Sequence, residues 1–462
     1  MHAEFDGNMF KRRRETLSSR LQSGVAIIAA APMRNRNSDV DHEYRQDSDF
    51  FYLTGFEEPD ALALVCPTHP EHPFVLFVPK RDKEMEIWHG RRAGREGALD
   101  TFGADAAFEL EDIDRKVPDY LKNIDRIYLS FGESTAFQTR VLEWLGRVRG
   151  QAYQGVKAPR ELHDLSPILH EMRWLKTDDD LRALRRACAI TAEAHMMGMR
   201  HTRPGKYEYE IQAEIEYVFR THGALRNGYP SIVAGGDNAN ILHYIDNTSQ
   251  LNDGDLLLVD AGGEYGMYTG DISRTWPVNG AFSEAQAEVY NWVLKAQLAA
   301  IDACRVGASF REPHNVAVEI LTEGLVEMGL LQGNPADIIA AQAQWDEDVK
   351  TKKVDPANDQ APRTYREFYM HSTSHWLGMD VHDVGTYKHG EDWVKLQPGH
   401  VLTIEPGLYI AAERDDVPER YKGIGVRIED DVLITDNGPD VLTQDCPKTI
   451  EDIEALMAAA RR

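Results

Sequence analysis

The second half of the chain carries one pattern twice. Gly254 to Gly262 reads GDLLLVDAG and Gly399 to Gly407 reads GHVLTIEPG: a turn glycine, an apolar run of strand character, a carboxylate, then a strand-breaking residue. A further acidic run follows each copy, YTGDISRTWPV with Asp271 and GVRIEDDVLIT with Glu429. An internal repeat of this kind points to two similar halves facing each other across a sheet. That arrangement gathers Asp260, Asp271, Glu405 and Glu429 from opposite sides.

Just ahead of the second copy, Phe368 to Gly385 reads FYMHSTSHWLGMDVHDVG and places His371, His375 and His382 among aromatic and aliphatic neighbours. Period-two alternation in GVRIEDDV puts Arg427, Glu429 and Asp431 on one face, opposite Val426 and Ile428. The same rule applied to NILHYID predicts a strand whose face carries Ile241, His243 and Ile245. Taken singly, each residue has an ordinary explanation: a core histidine, a turn aspartate, a surface Arg–Glu pair. The set together does not.

Four carboxylates and one or two imidazoles define a metal chemistry. A formal charge of about −4 in a low-dielectric site is balanced by two divalent cations, whereas one leaves strong repulsion. Oxygen-rich donors favour hard ions, Mn²⁺ foremost. Cys66, Cys188, Cys304 and Cys446 are scattered without a CxxC pair, which excludes a thiolate zinc site and a disulfide framework. HSTSH spaces two histidines as in HExxH zinc sites, but Ser372 stands where the glutamate belongs, so that motif fails. Paired divalent cations activate water and polarise a carbonyl. The implied reaction is hydrolysis.

Composition narrows the partners. Lys and Arg total 51 against 76 Asp and Glu, a net charge of −25 that repels phosphate backbones, so nucleic acid is excluded as a partner. No signal-peptide core follows the basic N-terminal cluster and no run approaches membrane-spanning length, so a cytoplasmic enzyme with no membrane partner is expected.

At 462 residues the chain is too long for one core, and two domains are expected, 1–170 and 171–462. The first reads as α/β: apolar strands at 25–32, 61–66, 74–79 and 126–130, and helices near 113–121 and 139–148. It gathers no histidines with acids. Residues 159–176 read as the boundary, without clear strand periodicity. Helices are then predicted after Thr177, with acids in the first turn, at 207–222 closed by Gly223, from the Ser283–Gln286 capping box, at 311–328 and at 449–460. The run 342–366, polar with Pro356 and Pro362, is expected on the surface, where its plain reading is a tolerated disordered excursion and the functional hypothesis is that it forms part of the groove wall.

These motifs resemble a known family. RQDSDFFYLTGFEEPDA, HEMR, ILHY, VDAG, GDISRT, SHWLGMDVHDVG, TIEPGLYI and GIGVRIEDD are together similar to the pita-bread metallopeptidases, and more narrowly to the bacterial Xaa-Pro aminopeptidases, with 342–366 as an insertion. The resemblance implies a creatinase-like N-terminal α/β domain that caps the active site and mediates oligomer contacts, a C-terminal pita-bread domain with a pseudo-twofold repeat, and a homo-oligomer, dimer or tetramer. It implies the metal ligands Asp260, Asp271, His375, Glu405 and Glu429 for two cations. It further implies Glu405 as proton shuttle, His382 at the developing oxyanion, His243 and His371 lining the proline pocket, and Arg427 in the family's arginine position. Trp88, in EIWHGRR, matches a tryptophan that reaches the pocket of a neighbouring subunit; an ordinary interface or core aromatic is the other reading. The substrates implied are peptides with proline second. Xaa-Pro dipeptidases share the metal site, and metal-free pita-bread binding modules share the fold, although the latter have lost ligands that are all present here.

Overall fold

The computed structural model describes residues 8–132 and 134–461. The chain divides into two compact units, Met1–Met172 and Arg173–Arg462, both mixed α/β.

The first unit is built on a six-stranded sheet, in the order Ala106–Glu109, Phe74–Val78, Leu62–Val65, Gly24–Ala29, Arg126–Leu129, Glu161–Asp164. Alternate residues Val25 and Ile27, Leu62 and Leu64, Val75 and Phe77, and Ile127 and Leu129 pack on Ile113, Val117, Trp144 and Val148 of two helices, Ile113–Tyr120 and Thr135–Arg149. Their neighbours Ala26, Ile28, Ala63 and Leu76 are also buried, so both faces of the central strands are covered, which is why these runs read as continuously apolar. The boundary stretch is more ordered than its sequence suggests. Glu161–Asp164 is an edge strand paired in parallel with Arg126–Leu129, and Ser166–Trp174 is a helix. The strand is largely exposed and polar, held by backbone pairing, so no hydrophobic period announced it.

In the second unit each half carries a three-stranded antiparallel sheet. One is Ile232–Gly235, Leu256–Ala261, Ile272–Pro277; the other is Val401–Ile404, Asp430–Thr435, Gly438–Val441. Alternation decides what faces where. Leu257, Val259, Ile272, Trp276, Leu402, Ile404, Val426 and Ile428 enter the core against the helices. Asp260, Asp271, Glu405 and Glu429, each an odd number of positions away along the same runs, point the other way. Helices Asp178–His201, Glu208–Thr221, Glu284–Asp302 and Glu312–Glu327 cover the apolar face. Their starts follow the sequence: reciprocal capping boxes join Thr177 to Asp180 and Ser283 to Gln286.

A buried polar seam joins the halves. Arg274, fully buried, donates to Asp430 Oδ1 at 2.7 Å and to the backbone oxygen of Glu429 at 2.5 Å, and Lys448 Nζ reaches Asp430 Oδ2 at 2.6 Å. Burial opposes the Asp430 charge, but Arg274 and Lys448 hold its carboxyl down at about 2. Thr275 Oγ1 pairs with the Arg427 backbone at 3.2 Å in both directions.

Two local readings are corrected. Residues 236–245 do not form a strand: Gly236–Asn240 is a 3₁₀ turn, and Ile241, His243 and Ile245 are exposed. The run 342–366 begins inside a helix, Pro335–Lys350, capped by Asn334, whose inward face is only Ile338 and Gln342, too narrow to read as an apolar stripe. Residues 343–363 do lie at the surface.

The seam generates a prediction. Asp430→Ala leaves Arg274 buried without its carboxylate, which costs roughly 3–5 kcal/mol. The thermal unfolding midpoint of the variant should fall by several degrees; a midpoint equal to the parent's would show the pair to be dispensable.

Candidate metal centre

The two acidic strands of the first half supply Asp260 and Asp271. Gly262, after Asp260, lets the chain turn back closely: a Cβ there would lie 1.8 Å from the Gly270 carbonyl oxygen. Tyr229 donates its hydroxyl to Asp260 Oδ1 at 2.7 Å and to Asp271 Oδ1. The Asp271 backbone N–H is held by Asp431 Oδ2 at 3.0 Å.

The second half brings Glu405, Glu429 and the histidines. Residues 373–377 run antiparallel to 401–405: Thr403 N donates to the His375 carbonyl at 3.0 Å, Glu405 N to the Thr373 carbonyl at 2.8 Å, and Leu377 N to the Val401 carbonyl at 3.1 Å. This irregular ladder sets His375 beside Glu405. Glu429 accepts from Ser273 Oγ at 2.8 Å.

His375 Nε2 lies 3.4 Å from Asp271, 3.8 Å from Glu405 and 4.0 Å from Glu429, while its Nδ1 meets the Trp376 carbonyl at 3.1 Å. Donating from Nδ1 leaves Nε2 as the metal-facing nitrogen. One donor atom each from Asp271, His375 and Glu429 falls within 4.8 Å of the others. The electrostatics match. Burial, reinforced by neighbouring carboxylates, raises Glu405 to about 7 and Glu429 well above the ordinary carboxylate range. Burial also raises Asp271, partly countered by His375. His375 is held at about 9 despite burial by Asp271 and Glu405. Crowded carboxylates with raised affinity for positive charge, around a correctly presented imidazole, fit a divalent cation.

The centre forms one wall of a cavity of about 840 Å³ lined by Asp260, Asp271, Glu405 and Glu429 together with His243, His371, His375, His382 and Arg427. The His382 ring meets that of His375 at 4.2 Å, edge to face. His371 Nδ1 faces the Ser372 carbonyl at 2.8 Å and its Nε2 faces the Tyr409 hydroxyl at 2.8 Å. Arg427 ties three groups, donating to Asp260 Oδ2 at 2.7 Å, Ser273 Oγ at 2.8 Å and Tyr409 at 3.1 Å. The loop bearing His382 is pinned by Asp383, which accepts from Arg173 at 2.6 Å and Lys176 at 2.7 Å, all three buried. No residue of 342–366 is among those that line this cavity.

Residues 182–436 match the model of metallopeptidase family M24, and residues 10–128 match the aminopeptidase P N-terminal domain. The chain belongs to metallopeptidase family M24. It is similar to the Xaa-Pro aminopeptidase of Escherichia coli, at 42% identity over the full length of both chains, and to that of Haemophilus influenzae, at 41% over 97% of this chain and 96% of the other. Its fold superimposes on an aminopeptidase of Pseudomonas aeruginosa with a TM-score of 0.93 at 44% identity, covering 99% of each chain. It likewise matches E. coli aminopeptidase P with the inhibitor Pro-Leu, at 0.91 and 42%, covering 99% of this chain and 100% of that one. As an M24 member the protein is a metal-dependent peptidase, a hydrolase with the creatinase-like and pita-bread folds.

All the cavity residues singled out from sequence therefore meet in one place in this M24 peptidase. Trp88 lies in the first unit, on helix Lys83–His89, 80% exposed. Sequence reasoning missed Tyr229, Tyr409 and Ser273, which orient the acids, the arginine and His371. Tyr409 lies in an apolar run and reads as core, Tyr229 sits in the turn-like run RNGYPS, and the partners of Tyr229 and Ser273 are far along the chain.

Added to chelated protein, Mn²⁺ should raise the unfolding midpoint, by an amount equivalent to about 2.7 kcal/mol at a hundredfold excess over Kd. Asp271→Ala should lose most of that rise and most bound metal by elemental analysis, with unchanged far-UV circular dichroism. Full metal retention by the variant would remove Asp271 from the ligand set.

Proposed function

We propose that the protein releases the first amino acid from peptides with proline second, using two divalent cations, Mn²⁺ foremost. Asp260, Asp271, His375, Glu405 and Glu429 would hold the cations. The observation that carries the reading is their convergence on one wall of a cavity that also presents His243, His371 and His382, in a chain aligned end to end with a Xaa-Pro aminopeptidase.

Bound cations supply an activated water and polarise the carbonyl before proline. The protein supplies the rest. Glu405, between His371 at 3.6 Å and His375 at 3.8 Å, takes the water's proton and delivers it to the leaving proline nitrogen. His382, at the rim beside His375, donates to the developing oxyanion. His371, kept neutral by burial and by the Arg427 charge, lines the proline pocket with His243 and Leu242. Proline is selected because its nitrogen carries no hydrogen and its ring is rigid, so a shaped pocket recognises it at little entropic cost. Arg427 and Tyr229 fix Asp260 where the peptide's free amine would sit.

The first unit, residues 1–170 by sequence, is proposed to cap the site and to mediate assembly into a dimer or tetramer. Met85, Ile87 and Trp88 are exposed on one short helix, an apolar surface suited to a subunit contact, with Trp88 reaching the proline pocket of a neighbouring copy. A cytoplasmic location suits four buried free thiols. Among the described residues no helix is long and apolar enough to cross a membrane.

With Mn²⁺ present, Ala-Pro-Ala should be cleaved at its first bond and Ala-Pro much more slowly. The reverse order would mark a dipeptidase, and equal turnover after chelation would end the metal reading.

His382→Ala should lower kcat by roughly 10²-fold with metal content unchanged, as expected for an oxyanion donor. A raised KM at normal kcat would instead make His382 a binding residue.

A further inference from the structure

Away from the acids, the cavity wall changes character. Phe310, Tyr387 and Trp393 line it together with Arg311, His314 and Lys388. The aromatics form one packed group: the Phe310 ring meets Tyr387 edge to face at 5.0 Å and stacks on Trp393 at 6.0 Å. Two cations share the Trp393 indole, with Arg311 5.5 Å and Lys388 4.3 Å from its centroid. Lys388 is the cross-strand partner of Trp393, and Arg311 approaches the same indole from another element, so one aromatic carries two positive charges into the cavity wall.

Neither cation comes within 4.0 Å of a carboxylate among the described residues, in a chain whose acids exceed its bases by 25. Of the acids within electrostatic reach among the described residues, only Glu391 is paired with a base, while Asp346 meets a neutral amide and offsets part of the Arg311 charge. Asp346 accepts from Gln342 at 2.8 Å, and Glu391 pairs with Lys350 at 3.0 Å. Burial is the main cause that lowers Arg311 and His314, and Arg366 adds positive potential on the same side. This wall is also tied to the centre: His314 Nδ1 lies 2.9 Å from Thr373 Oγ1, and the Thr373 carbonyl accepts from Glu405 N at 2.8 Å.

We propose that Arg311 and Lys388, on the Trp393 platform, form a subsite for a carboxylate of the peptide beyond proline. The cavity is thereby polarised, with acids and cations to take the amine and scissile carbonyl at one wall, and two bases to take an anion at the other. The carboxylate is either the peptide's C-terminus or an acidic side chain. In both cases the site favours short or acidic peptides over amidated or basic ones. The inference rests on the cavity being the peptide site proposed above.

The test is binding as well as turnover. Calorimetric titration of Mn²⁺-loaded protein with Pro-Ala and Pro-Ala-Ala, each as free acid and as amide, should show the acid bound about 10-fold more tightly at one of the two lengths, as for a charge-assisted hydrogen bond. The preference should shrink with added salt. Pro-Glu-amide against Pro-Gln-amide distinguishes a side-chain carboxylate from the terminal one. In Arg311→Gln with Lys388→Gln the acid-to-amide ratio should fall to near one, and Arg311→Lys should retain part of it. In turnover, the same ratio should appear in kcat/KM for Ala-Pro-Ala and its amide. A ratio near one in the parent, or one unchanged in the double variant, overturns the subsite. Acid-selective binding without Xaa-Pro cleavage would leave the subsite standing and overturn the proposed activity.

Discussion

The structure depends on how crowded carboxylates are kept on one wall of a largely buried cavity. Asp271 and Glu429 are almost wholly buried, Asp260 and Glu405 nearly so, and without compensation each charge destabilises the others. Part of the compensation is permanent. Arg427 anchors Asp260, Tyr229 donates to Asp260 and Asp271, and Ser273 donates to Glu429. The remainder is left to bound metal. The same economy appears one residue along, where Asp430, turned to the opposite face, is fully matched by Arg274 and Lys448. Neighbouring aspartates in one strand thus divide into a structural ion pair and an active-site environment because consecutive side chains point to opposite faces.

Asp260 lies within a strand and Asp271, Glu405 and Glu429 sit at strand ends, whereas the position of His382 follows from a different device. Its loop has no ladder of its own. Asp383 fixes it by burying its carboxylate between Arg173 and Lys176, and Gly378 is needed there because a Cβ would lie 2.1 Å from Asp383 Oδ2. Burial would raise Asp383, but the two cations hold it below the usual carboxylate range. A histidine of the cavity wall is therefore carried on a loop whose freedom a buried ion cluster removes.

Much of this was legible in the sequence. The helix starts at Thr177 and Ser283 carry complete capping signals, and local hydrogen bonding alone specifies them. Alternation in GVRIEDDV placed Arg427 and Glu429 on one side, and both line the cavity although the strand breaks at 428–429. Elements stabilised by something other than an apolar period were not legible. The edge strand Glu161–Asp164 depends on its neighbour's backbone, the helix Pro335–Lys350 packs through two residues, and the turn around His243 follows a 3₁₀ segment rather than its β-like spelling.

By itself the sequence determined the fold class, the two-half architecture and the carboxylates and imidazoles of the centre, because strand period, turn residues and repeated spacing are local properties of the chain. Only the tertiary structure decided which groups orient them. Tyr229 reaches Asp271 across 42 residues, Arg427 reaches Asp260 across 167, and Ser273 reaches Glu429 across 156. It also decided that His314 and Trp393 share a cavity with His371. Such contacts are set by how two sheets and their covering helices close on one another, and no periodicity in a single segment encodes them.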